Sequence, residues 1–138
     1  MPLSIDERLV LSKELQQLDL ERAGLSHDKI AAEAKKVMGN EEISELFEQS
    51  FSYTLQMGQI LLHHAPDELY LRDANMTQQE RAAISLKVVP LKIVTKYIEA
   101  NQKLFKALKE QGYNDFEKML HADGMFDAIA AEMKLYIN

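Results

Sequence analysis

The sequence predicts an all-α fold: a single-domain helical bundle of five to seven helices around two long central helices, with no β-sheet. Three observations carry this. Almost every segment of the 138-residue chain repeats its apolar residues with a helical period. No stretch alternates apolar and polar residues for long enough to make a strand. Helix punctuation recurs throughout, from capping boxes at Ser4–Glu7 and Thr77–Glu80 to glycines at 24, 39 and 112 that close periodic runs. At this length, residues 1–138 are expected to form one domain that folds without disulfide or metal.

The first helix is expected over 5–22, opened by Ser4 and stopped before Gly24. Leu11, Leu15 and Leu18 lie on one side of it, while Ile5, Leu9 and Leu20 lie on another. A surface helix needs one apolar stripe, so the second predicts a partner copy, making the protein a homodimer. Ser26 caps an alanine-rich second helix over 27–38, and Gly39 ends it. Asn40 caps a third over 41–64, with Glu41 and Glu42 in the first turn, where the helix dipole favours acids. Its apolar arc exceeds half the circumference, which predicts contact with at least two neighbours.

Pro66 ends that helix, and Pro66-Asp67-Glu68 can open one further turn. Thr77 starts a fourth helix over 78–89. Pro90 removes the hydrogen bond to residue 86 and so kinks or breaks the chain there. Residues 91–111 form the cleanest amphipathic segment, with Lys92, Lys96, Glu99, Lys103, Lys106 and Glu110 on the solvent half. Glu99 and Lys103 stand in the favourable (i, i+4) order for an ion pair. Asn114 resembles the cap of a short helix reaching His121. A terminal helix over 124–137 carries Phe126, Ile129, Ala130, Met133, Tyr136 and Ile137 on one stripe. The predicted core is Phe47, Phe51, Leu61, Val94, Ile98, Phe105, Phe126 and Ile129.

Composition excludes several functions. Cysteine is absent, which removes disulfides, thiolate metal sites and cysteine nucleophiles together. Formal charge is −6, with 13 acids against 6 bases in residues 1–70 and 9 against 10 in 71–138. The acidic front half repels phosphate, so no nucleic-acid partner is expected. No apolar run approaches the ~20 residues of a membrane span, and charged residues occupy the place of a signal-peptide core. A cytoplasmic location follows as the expectation.

Few residues suggest chemistry. His63 and His64 each precede an acid by four residues (Asp67 and Glu68), but Pro66 interrupts the turn that would align them. Glu117 and His121 share that spacing without a second pair. Neither set makes a metal centre, and neither a cofactor nor a catalytic residue is predicted. The Ala23–Ala31 segment resembles the approach to a helix-turn-helix, yet the next helix would present Glu41, Glu42 and Glu45 to DNA. Ser50, Thr54 and Gly58 form a small-residue stripe suited to close helix packing or a ligand groove. Asn101 falls amid apolar residues, where a polar group must be satisfied by a hydrogen bond, a register contact or a ligand.

The expected function is a non-enzymatic protein-interaction or regulatory module. Leu69, Tyr70 and Leu71, large apolar residues in a polar loop, either cap the core or contact the partner. The alternative is a small-molecule or metal-binding helical protein with Tyr53, His64 and Asn101 turned into a pocket. A helix-turn-helix-like nucleic-acid binder comes second among the alternatives.

Overall fold

The computed structural model describes residues 2–71 and 74–137. The described residues form seven α-helices and no strand: α1 Ile5–Arg22, α2 His27–Met38, α3 Glu41–His64, α4 Gln78–Val88, α5 Leu91–Glu110, α6 Asn114–His121 and α7 Met125–Ile137. A 3-10 turn at Asp67–Leu69 follows Pro66.

Local chemistry sets most of these boundaries. Ser4, Ser26, Asn40 and Thr77 each accept a hydrogen bond from the backbone N–H three residues on, and both capping boxes close. Pro90 forces Val89 into an extended conformation, so α4 ends and α5 begins as a new helix instead of a kinked continuation. Helix α6 departs from expectation: Asn114 is its first residue, and Tyr113 before it makes no side-chain cap. Glu33 of α2 supplies the missing acceptor, taking the Asp115 N–H at 3.1 Å.

Helices α3 and α5 share the most extensive contact and run antiparallel: Asn40 at the start of α3 meets Gln111 just past the end of α5. Helix α7 packs on α4 and α5, and α6 packs on α2 and α5. The largest fully buried side chains are Ile43, Leu104, Leu108, Ile129, Val37 and Val94. Phe105 and Phe126 meet edge to face, with ring centroids 4.8 Å apart. Of the predicted core, Val94, Phe105, Phe126 and Ile129 are buried, while Phe47, Leu61 and Ile98 pack half-buried against it. The side chains of Tyr136 and Ile137 lie outside the described residues.

Phe51 is not core. It is 50% exposed, because α5 covers the Ile43–Ser50–Met57 face and Phe51 lies a further 100° round the helix. It stacks on Phe47 instead. The small-residue stripe also resolves differently from close packing. Ser50 alone is buried, while Thr54 is exposed and its hydroxyl donates back to the Ser50 carbonyl. A Cβ placed on Gly58 would meet nothing within 4 Å.

Candidate functional site

A second, smaller apolar cluster forms where α3 ends: Leu62, Ala65, Leu69 and Tyr70, with Leu3, Leu11, Leu61 and Ile84 against it. Into it runs Arg8, the one buried residue of α1. Its guanidinium donates to the carbonyls of Leu61 (3.2 Å), Leu62 (3.0 Å) and Ala65 (2.6 Å) and to Asp67 Oδ1 (3.0 Å). Both Leu61 and Leu62 belong to the last turn of α3, at the negative end of the dipole; the Leu61 carbonyl also accepts from the Ala65 N–H, whereas the residue four beyond Leu62 is Pro66, which has no N–H to offer. The Tyr70 ring lies 4.9 Å from the guanidinium carbon, and burial of its phenol raises its pKa above the ordinary value. The Leu3 N–H donates to both Asp67 oxygens. Nothing local in the sequence marks Arg8, since its acceptors are more than fifty residues away.

Anchored this way, α1 turns Leu11, Leu15 and Leu18 half-buried toward the bundle. Its outer face carries Ile5 (41% exposed), Leu9 (45%) and Val10 (57%). Leu20, expected on that second stripe, is half-buried. Near the far end of α1, Asp19 is partly buried, which raises its carboxyl pKa; Arg22 and Arg81 pull it back.

The segment proposed to meet a partner is turned inward at Leu69 and Tyr70, both buried, with Leu71 half-buried. Arg81 donates to the carbonyls of Leu69 and Leu71 and ties this segment to α4. The three candidate ligand contacts stand apart in character. Asn101 is buried at the α3–α5 seam: its oxygen accepts from the Ser50 hydroxyl at 2.8 Å and its amide donates to the Tyr97 carbonyl at 2.8 Å. Tyr53 is half-buried, at a shallow recess with Glu45, Glu48, Gln49, Ser52 and Gln56 on the outside of α3. His64 is exposed rather than turned inward, as is His63, and Arg8 rather than an imidazole takes the helix-end carbonyls of Leu61 and Leu62.

His121 stands between two carboxylates. Its Nε2 lies 3.5 Å from Glu117 Oε1 and its Nδ1 3.5 Å from Asp127 Oδ1, with the ring tilted against Phe105 at a centroid distance of 4.0 Å. The two carboxylates stand at opposite ring nitrogens, so they do not converge with the imidazole on one point. Lys109 adds a cation 3.4 Å from Glu117. This cluster ties α5, α6 and α7 together. Among the described residues no group of three metal-type ligands converges.

The lysines of α5 face solvent as expected, but Glu99 pairs with Lys96 at 3.7 Å rather than with Lys103. Glu41, Glu42 and Glu45 are exposed at the start of α3. Among the described helices none is long and apolar enough to cross a membrane. No family model, curated protein or solved structure matches the chain.

Proposed function

We propose that this chain is a non-enzymatic protein-interaction module that self-associates, with the outer face of α1 as its contact surface. One observation carries the reading. Helix α1 has apolar residues on both sides, and after Leu11, Leu15 and Leu18 have met the bundle, Ile5, Leu9 and Val10 still face solvent. Apolar side chains grouped on one face favour a partner far more than the same residues scattered singly. Leu69 and Tyr70 enter through Arg8: they belong to the apolar cluster that receives it and so help orient the outer face of α1, while Leu71 is tied to α4 through Arg81. Phe51 and Leu55, exposed one turn apart on α3, provide a second apolar pair.

The reading is tested by sedimentation and by affinity capture from native extract, comparing the wild type with a Leu9→Glu, Val10→Glu variant. Association with itself or with an identified protein, lost in the variant at unchanged helix content, supports it. A wild type that stays monomeric, retains no protein and holds a stoichiometric small molecule or metal overturns it.

A further inference from the structure

The outer face of α1 has a charge order that selects its occupant. Asp6, Leu9, Val10 and Lys13 stand at i, i+3, i+4 and i+7, and all four are exposed. At about 100° per residue, Asp6 and Lys13 fall at nearly the same azimuth, with Leu9 and Val10 on either side of the line between them. Along the helix axis the stripe therefore reads acid, apolar pair, base. Ile5 extends the apolar flank.

Such a stripe is complementary to itself in one direction only. A copy laid parallel sets Asp6 against Asp6 and Lys13 against Lys13. A copy laid antiparallel, with the two-fold axis between Leu9 and Val10, sets Asp6 of each chain against Lys13 of the other. Because the two-fold keeps each flank of the stripe on its own side, it also packs Leu9 on Leu9 and Val10 on Val10 of the other copy. Seven residues span about 10.5 Å at 1.5 Å per residue, so both ion pairs close at once in that register. The spacing is that of a heptad stripe, which two helices bury at a shallow crossing angle. The contact is isologous, so each interaction occurs twice.

We infer that a second copy of this chain docks antiparallel on α1, centred between Leu9 and Val10, with two Asp6–Lys13 pairs at its rim. The inference rests on the proposed function and names the partner and register of that same face. One helix pair covers less than the ~800 Å² per partner of a standard interface, so the dimer is weak and exchanges rapidly. The Arg8 anchor holds α1 on its own bundle while the outer face is occupied.

Sedimentation equilibrium of the full chain tests this, using wild type, Asp6→Lys, Lys13→Asp and a 1:1 mixture of the two variants. Circular dichroism checks that each variant remains helical. In the antiparallel register each variant repels itself and dimerises about tenfold more weakly, since both exposed pairs turn repulsive. The mixture restores both pairs and regains wild-type affinity. Val10→Glu, which keeps both charges, abolishes association. Variants that dimerise as tightly as wild type overturn the register while leaving self-association standing. A wild type monomeric at several hundred micromolar overturns the inference, and partner capture by the α1 face then decides the broader reading separately.

Discussion

Helix α5 and helix α1 are both long, and both carry apolar residues at helical spacing, yet they are held in opposite ways. On α5, Val94, Tyr97, Leu104, Phe105 and Leu108 are buried along one face, and the lysines occupy the other. On α1 the only buried residue is a cation, Arg8, whose acceptors are three carbonyls at the end of α3 and one aspartate. Apolar burial is non-directional and spreads along a whole helix, so α5 is fixed at many points. A guanidinium bound to helix-end carbonyls is directional and local, so α1 is fixed mainly at one. The first arrangement builds a core. The second positions a surface.

The sharpest test of this contrast compares one substitution in each helix. Leu104→Ala removes a fully buried side chain and is expected to cost about 2–5 kcal/mol. The loss appears in global unfolding by denaturant, with every probe shifting together. A loss confined to α5 would break the view that this helix is shared core. Arg8→Met keeps the aliphatic stem and removes the charged hydrogen bonds, interactions worth about 1.5–3 kcal/mol in general. Part of that returns as the freed carbonyls meet water. Hydrogen exchange should show α1 amides losing protection while α5 amides keep theirs, as expected for a locally opening unit. Equal loss in both helices would show that α1 is integral to the core.

The same contrast explains what could be read in advance. Helix boundaries were legible because their causes are local: a capping hydroxyl, a proline, a glycine within a few residues. Asn101 was legible as buried because the wheel places it amid apolar neighbours, and the Ser50 hydroxyl and Tyr97 carbonyl satisfy it. Phe51 was misplaced because a wheel measures the width of an apolar arc but not how many helices arrive to cover it. Arg8 was invisible for the complementary reason. A cation in the first turn of a helix reads as solvated until a distant helix end supplies carbonyls. Glu33 at the start of α6 is a second case, with donor and acceptor 82 residues apart.

A smaller effect comes from α3, whose own uncovered side is as informative as its core face. Gly58 sits in the interior of that helix, is exposed, and has open space where a side chain would go. Gly58→Ala is therefore expected to stabilise the fold by about 0.5–1 kcal/mol through reduced freedom of the unfolded chain. A thermal melt reads it directly. Destabilisation would mean that something approaches this backbone in solution, which would move the interaction surface from α1 toward the Phe51–Leu55 side of α3.

The smallest expected effect lies at the far end of α1 and depends on pH. Burial raises the Asp19 carboxyl above its ordinary pKa, against the pull of Arg22 and Arg81, so the folded state binds this proton more tightly than the unfolded chain does. The sign follows from linkage: the contribution is fully present below the ordinary aspartate pKa and is lost as pH rises through the raised value. Asp19 thus favours folding in acid and weakens it toward neutrality, opposite to a carboxylate held by a salt bridge. Other carboxyls titrate in the same range, so the measurement is the difference between wild type and Asp19→Asn in denaturant unfolding from neutral pH to about pH 4. The variant should gain on wild type at neutral pH and lose that advantage in acid. An advantage that grows in acid instead would mean that Arg22 and Arg81 outweigh burial. Both ends of α1 would then be held by ion pairs, and the contrast with α5 would be complete along the whole helix.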